Sequence, residues 1–463
     1  MPGDLHYLSL DEVARRLKAR TLSSVEATSS ILDRIERLDP KLKSYARVTP
    51  ERALADAARL DAESAAGKSR GPLHGVPIAV KDLCNTAGVA TAAGMAIHAG
   101  HVPDKDATVV TRLKQAGAVI LGKLQMTEGA YGLHHPTVDP PVNPFNAAYW
   151  TGVSSSGSGV ATAAGLCFAS LGSDTGGSIR FPSTMNGLSG LKPTWGRVSR
   201  AGVFPLAESL DHVGPMCRSA LDAAIVLGVI AGADPDDPTA APQPVPDYTA
   251  SIDRGVRGKR LGVPKNLIGM DADSQRAFDG AVAAFKSAGA ALVDVVLPEL
   301  DEAALKWISL CALEAALAHE ATFPAQRGDY GPDLAALIDL GRGLSGLELG
   351  KLHLVRARVR SEIEHLLAGV DLLLLPVMGV ATPSLAGLRA AGRTPETTKA
   401  RLRYTAPLDM SGHPTLTVPG GVTADGVPVG FQIVGRAFDE AGIIAAGHTF
   451  QQATDWHMRR PPV

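Results

Sequence analysis

Two stretches of this chain read as strand, helix, strand, and that alternation constrains the fold more than any other feature. In the first, Val76, Ile78 and Val80 alternate along Gly75–Val80 and put three β-formers on one face of a strand. Lys81 follows directly at the strand's end. A helical run from Ala107 closes at Gly117, and a short apolar strand then leads to Lys123. In the second stretch, Leu261–Val263 predicts a strand and Phe278, Val282 and Phe285 mark one face of a helix. Gly289 ends that helix, and Ala291–Pro298 returns as a strand. Such units are crossovers between parallel strands, so the chain is expected to be α/β. The 49 glycines and 32 prolines agree, because they supply tight turns and close backbone approaches rather than long bundles.

The N-terminal segment is expected to be a helical cover over residues 1–70. Ser9 with Glu12 and Ser23 with Glu26 have capping-box spacing, and Val25, Leu32 and Ile35 follow at helical intervals. A role for this segment in homodimerisation is equally open. Gly232–Gly258 gathers Pro235, Pro238, Pro242, Pro244 and Pro246, which excludes regular helix or central strand there and predicts a surface excursion within one domain, with a domain boundary as the alternative.

A chain of 463 residues that is 45% hydrophobic builds a large core, and disorder is excluded for the whole. Its formal net charge of -2 offers no clustered basic footprint, so neither nucleic acid nor an anionic membrane is an expected partner. Residues 1–20 lack an apolar segment behind a basic start, which predicts a cytoplasmic protein. Val370–Val380 is the most apolar stretch, yet it contains Asp371 and Pro376 and falls well short of the roughly 20 residues of a membrane span, so it is expected to be a buried strand. Cys84, Cys167, Cys217 and Cys311 lie far apart with no CxxC pair, which predicts buried free thiols and neither a disulfide framework nor a metal site.

Chemistry concentrates in two glycine-serine segments, GVSSSGSG at Gly152–Gly159 and GSDTGGSIRFP at Gly172–Pro182. A flexible linker is the plain alternative. The flanks argue against it: a small-residue helix follows the first, and Asp174, Arg180 and Pro182 bound the second. A serine after two glycines sits where successive backbone N–H groups converge, beside a ready oxyanion hole. Ser178 fits a nucleophile of this kind, with the N–H groups of Thr175, Gly176, Gly177 and Ser178 around it. The 13 histidines supply no evident base: His134 and His135 lie in a proline-rich loop, and His212 has no carboxylate partner by spacing. The chain also lacks GxSxG and HExxH.

GVPIAVKD at Gly75–Asp82, the two glycine-serine segments, and the GLKPTWGRVSRAGVFPLAESLDHVGPMCRS that follows resemble the amidase signature family. TAPLDMSGHPTLTVPGG at Thr405–Gly421 and GVPVGFQIVG at Gly426–Gly435 resemble its closing sheet and loop. The resemblance implies a single large domain over residues 71–463, with a central mixed, twisted β-sheet covered by helices on both faces. It implies Ser178 as nucleophile, Ser154 (with Ser155, one place on, as the alternative) as a bridging serine preceded by a cis peptide bond, and Lys81 as base, without a cofactor or metal. Ser155 would help hold the lysine, Asp174 and Arg180 would brace the nucleophile loop, and Gln125, Met126 and Tyr131 would line the substrate pocket.

Departures from the family pattern are Val153 after Gly152, Ser156 where glycine is common, Gln125 and Asp409 where asparagine is frequent, and an apparent insertion at His134–Pro141. The implied activity is hydrolysis of small amides or anilides, with aryl carbamates and esters as further small-molecule substrates. The family also contains the glutamine-hydrolysing component of tRNA-dependent amidotransferases. That component has an acidic residue where this chain has Leu402 between Arg401 and Arg403, which argues against glutamine. A catalytically silent binding protein is the remaining alternative, and Lys81, Ser154 and Ser178 are all retained.

Overall fold

The computed structural model describes residues 5–392 and 394–463. Eleven strands form one sheet: β1 (Tyr45–Val48), β2 (Pro77–Lys81), β3 (Val119–Leu124), β4 (Ala169–Asp174), β5 (Ser189–Lys192), β6 (His212–Cys217), β7 (Arg260–Pro264), β8 (Ala291–Val295), β9 (Leu372–Pro376), β10 (Thr415–Val422) and β11 (Pro428–Val434). Their order is β1-β3-β2-β4-β6-β5-β10-β11-β9-β7-β8. The two crossover units form parallel flanks, β3-β2-β4 on one side and β9-β7-β8 on the other. Between them β6, β5, β10 and β11 pair antiparallel, so the sheet is mixed.

Every residue of β2, β3, β4, β6, β9 and β11 is buried. Strands buried along their whole length have both faces covered, which is why they read as nearly continuous apolar runs. The helices that provide this cover include α1 (Leu10–Lys18), α2 (Ser24–Leu42), α3 (Pro50–Ala65), α4 (Thr108–Gln115), α5 (Ser156–Ala163), α6 (Arg180–Met185), α7 (Ala220–Ile230), α8 (Ala272–Ser287) and α9 (Asp301–Ala318). Helix α3 packs on β3, α5 on β4, α7 on β6, and α8 on β10 and β11.

Local signals account for several boundaries. The Ser9 side chain accepts from the Glu12 N–H, and Ser23 with Glu26 closes a full capping box at the start of α2. The N-terminal segment also contributes β1, an edge strand antiparallel to β3, so it joins the sheet as well as covering it. Gly232–Gly258 carries no α-helix or strand and is clamped to the body, with Arg197 Nη1 donating to the carbonyls of Gln243 and Pro244. All four cysteines are buried and unpaired, and Leu372–Pro376 is a wholly buried strand. Among the described residues no helix is long and apolar enough to cross a membrane.

Candidate active site

Lys81 is the last residue of β2 and Asp174 the last of β4, two parallel neighbours. Open α/β sheets place ligands at the carboxyl ends of such strands. Ser154 and Ser155 come to the same place on the loop that enters α5, and Ser178 stands two residues before α6. These loops approach so closely that a Cβ on Gly152 would lie 2.5 Å from the Pro182 backbone, and only glycine fits.

The Lys81 ammonium is wholly buried and donates to three hydroxyls: Ser154 Oγ at 2.7 Å, Ser173 Oγ at 2.9 Å and Ser155 Oγ at 3.0 Å. None of these carries charge, so burial dominates and pushes Lys81 from its usual 10.5 down to about 7, only partly opposed by Cys84, Asp211 and Asp174 nearby. Asp82, although adjacent in sequence, points the other way and pairs with Lys123 at 3.4 Å. Ser155 is committed further: it donates to the Ser173 carbonyl at 3.1 Å and accepts from the Ser173 N–H at 3.2 Å. Among the described residues Ser154 has no such second tie.

Two features differ from what the family resemblance implies. The peptide bond before Ser154 is not cis; the cis bond among the described residues precedes Pro324. A cis bond before a non-proline residue costs about 3–4 kcal/mol, and Ser154 reaches Lys81 without it. Nor does a hydrogen bond join Ser154 to Ser178 among the described residues. Catalytic hydrogen bonds commonly tighten only in the substrate complex.

Around Ser178 the N–H groups of Thr175, Gly176 and Ser178 donate to no protein atom among the described residues. The N–H of Gly177 is different: it donates to Asp174 Oδ1 at 2.6 Å and so helps hold the loop, leaving three N–H groups instead of the expected four for an oxyanion. Asp174 Oδ2 accepts from the Ile179 N–H at 2.9 Å and from Arg180 Nε at 3.0 Å. Burial alone would raise the Asp174 carboxyl, but the Arg180 guanidinium beside it holds it well below the carboxylate range. Arg180 also bonds Asp409 and the Thr405 carbonyl, so Asp174 and Arg180 tie the loop around Ser178 to residues far along the chain.

Sequence reasoning missed several participants. Ser173 alternates with Asp174 on β4 and so points to the lysine side, a signal that was available in the strand's period. His212 has a carboxylate neighbour after all, Asp409 Oδ1 at 3.5 Å, although burial keeps the ring neutral. Trp307 of α9 donates from Nε1 to the Thr175 carbonyl at 2.7 Å and fills the space where a Gly176 Cβ would stand. Asp211 accepts from the Thr175 hydroxyl at 2.6 Å. Residues so distant in sequence leave no local signal. His134 lies 3.1 Å through Nε2 from Ser156 Oγ, joining the inserted loop to the third serine of the run.

A cavity of about 350 Å³ opens against Ser173 and is lined also by Leu83, Ala130, Phe204, Leu206 and Asp211. Of the three expected pocket residues, Gln125 instead lines a separate recess with Ile35, Asp39 and Asp139, and its carbonyl accepts from the Gly157 N–H at 3.0 Å. Met126 is wholly buried. Tyr131 is half-buried against the core, one residue beyond the cavity-lining Ala130.

The amidase family profile matches residues 26–444, a span that contains Lys81 and both serine segments. The chain belongs to the amidase signature family. Over 457 residues it is 50% identical to the provisionally assigned amidase AmiD of Mycobacterium tuberculosis (strain ATCC 25618 / H37Rv), covering 98% of this chain and 96% of the relative. It is 38% identical to the A component of the glutamyl-tRNA(Gln) amidotransferase from Geobacter sp. (strain M21), covering 99% of this chain and 100% of the relative. Among solved structures, the peptide amidase from Stenotrophomonas maltophilia superposes with a TM-score of 0.85 at 33% identity, covering 98% of each chain. A bacterial aryl acylamidase superposes with a TM-score of 0.88 at 25% identity, again covering 98% of each chain. The fold is therefore that of amidase signature enzymes, and the protein is an amide-hydrolysing enzyme.

Proposed function

We propose that this enzyme is a free-standing amidase that hydrolyses small amides or anilides through an acyl-enzyme, with Ser178 as nucleophile, Ser154 as proton bridge and Lys81 as base. The observation that carries this reading is the buried Lys81 amine, surrounded by hydroxyls, without an ion-paired carboxylate among the described residues, and brought to about 7. An amine so placed is available in its neutral form near neutral pH, as a base must be.

In the acylation step Ser178 Oγ attacks the carbonyl carbon. Its proton passes to Ser154 as Ser154 passes its own to Lys81 Nζ. The oxyanion is received by the N–H groups of Thr175, Gly176 and Ser178. The proton then returns through Ser154 to the leaving nitrogen as the C–N bond breaks, which avoids expelling an amide anion. Water repeats the sequence on the ester, freeing the acid and restoring Ser178. Ser154 suits the bridging role because its hydroxyl proton is not tied to β4, whereas that of Ser155 is. Esters and aryl carbamates form the same acyl-enzyme class and extend the substrate range.

Likeness to the glutamyl-tRNA(Gln) amidotransferase component supports a second reading, glutamine hydrolysis. Against it stands buried Leu402, with Arg403 turned away in an ion pair with Asp301. A panel of anilides, primary amides, aryl carbamates, esters and glutamine, run with Ser178→Ala in parallel, separates these readings. Turnover of the synthetic amides that Ser178→Ala loses is the expected result. Activity on glutamine alone transfers the assignment to the amidotransferase reading, and equal turnover by Ser178→Ala removes Ser178 as nucleophile.

A further inference from the structure

We propose that Asp211 is a positioning residue of the hydrolytic site, fixing the oxyanion loop through the Thr175 hydroxyl. This inference rests on the reading of Ser178 as nucleophile. Asp211 immediately precedes β6, whose first residue, His212, pairs with Asp174 at the end of β4. Its carboxylate is thereby carried to the edge of the nucleophile loop. Oδ1 accepts from Thr175 Oγ1 at 2.6 Å, while Oδ2 accepts from the N–H groups of Leu206 at 2.9 Å and Ala207 at 3.1 Å. Three donors thus converge on the two oxygens of one buried carboxylate, a number its lone pairs accommodate.

The other ties on this loop show what remains for Asp211 to do. A peptide unit is planar and trans, so holding a carbonyl oxygen also aims the N–H of the next residue in the opposite direction. Trp307 Nε1 holds the Thr175 carbonyl and so aims the Gly176 N–H. Thr405 Oγ1 holds the Gly176 carbonyl at 2.8 Å and so aims the Gly177 N–H, which meets Asp174. The first free donor of the loop, the N–H of Thr175, lies upstream of both of these ties. Its peptide unit is held at the Asp174 carbonyl, which lies 3.2 Å from His212 Nδ1, and its side chain is held by Asp211, the residue before His212. Because Leu206 also lines the cavity beside Ser173, the same carboxylate joins the cavity wall to the oxyanion loop.

The test compares Thr175→Val, Thr175→Ser and Asp211→Asn in the full-length enzyme. The readouts are the second-order rate of Ser178 labelling by a fluorophosphonate, with the labelled residue located by mass spectrometry, and kcat and KM on the best amide of the panel. Thr175→Val removes the hydroxyl and is expected to slow labelling and kcat by roughly 10- to 100-fold with KM nearly unchanged. That is below the roughly 10²–10³-fold loss from deleting an oxyanion donor outright. Thr175→Ser restores the hydroxyl and is expected to stay within about threefold of the unaltered enzyme. Combining Thr175→Val with Asp211→Asn is expected to add little to either alone, as for residues acting through one contact. If Thr175→Val fails to fold, Asp211→Asn carries the same expectation of lowered kcat at constant KM. Labelling of Ser178 at an undiminished rate in the Thr175→Val enzyme overturns the positioning role alone, as does a Thr175→Ser enzyme as slow as Thr175→Val. Absence of label from Ser178 in the unaltered enzyme overturns the nucleophile assignment and the positioning role with it.

Discussion

Two buried lysines on neighbouring strands meet opposite fates in this enzyme. Lys81 ends β2 and Lys123 lies near the end of β3, and neither has any exposed surface. Lys123 donates to the Cys84 carbonyl and to Thr91 Oγ1, both at 2.6 Å, and faces Asp82 at 3.4 Å. Burial lowers Lys123 and raises Asp82, and their proximity opposes both shifts. Among the described residues Lys81 donates only to serine hydroxyls, and burial outweighs the opposing pull of Cys84, Asp211 and Asp174. Depth alone therefore does not make a lysine a base; the charge of its partners does. Lys123 has the surroundings of a structural ion pair, and Lys81 those of a proton acceptor poised near neutrality.

The comparison is broken most directly by deleting each amine in turn. Lys81→Met is expected to lose amide hydrolysis by roughly 10³-fold or more, the upper range for an essential general base, and activated esters less severely. Lys123→Met is expected to keep kcat within a few fold but to lose roughly 3–5 kcal/mol of stability in denaturant unfolding, because Asp82 is left buried without its cation. Lys81→Met should do the reverse to stability. Because Lys81 has a folded value near 7, below the unfolded 10.5, the unfolded chain holds the extra proton between those pH values. The lysine's contribution to stability therefore rises with pH across that interval. Below about pH 7 the buried charge costs the whole difference, about 5 kcal/mol. The Met variant is accordingly expected to exceed the unaltered enzyme in stability at pH 6, with the gap roughly halved by pH 9 and closing only near pH 10.5.

The comparison is sharpened by giving Lys81 what Lys123 has. Ser155→Asp places a carboxylate at a position now 3.0 Å from the amine, and is expected to raise the acid limb of kcat/KM for amides by roughly 1–3 pH units. The smallest effect expected is that of Ser173→Ala. It removes one of three acceptors but no charge, and a loss of a few fold in kcat with an unmoved Ser178 labelling site is the outcome to look for in steady-state kinetics.

How much of this was legible in the sequence follows from the range of each interaction. The crossover units were readable because hydrophobic period, turn glycines and caps are local, and they became the two parallel flanks of the sheet. The antiparallel centre was legible only through family likeness, since nothing local announces that β10 returns to pair with β5. Lys81, Ser154, Ser155 and Ser178 stood out because each lies in a short motif, and the structure gathers the first three directly. Asp174 and Arg180 stand out in the same motif, and they form a buried ion pair whose carboxylate also accepts from the Gly177 and Ile179 N–H groups. The distant supports Trp307, Asp211 and Asp409 were illegible in those roles because their contacts span parts of the chain that only the fold brings together. The commitment of the Gly177 N–H was equally invisible, since it depends on whether a side-chain carboxylate turns back onto it.

The central claim is that Lys81 acts as a neutral base because burial among hydroxyls lowers its proton affinity. The pH dependence of kcat/KM for an anilide, measured alongside Ser155→Asp, tests it most directly. The account predicts activity that rises with pH through a half-maximum near 7, displaced upward when the carboxylate is introduced. A limb near the ordinary lysine value of 10.5, or a profile that Ser155→Asp leaves in place, contradicts it.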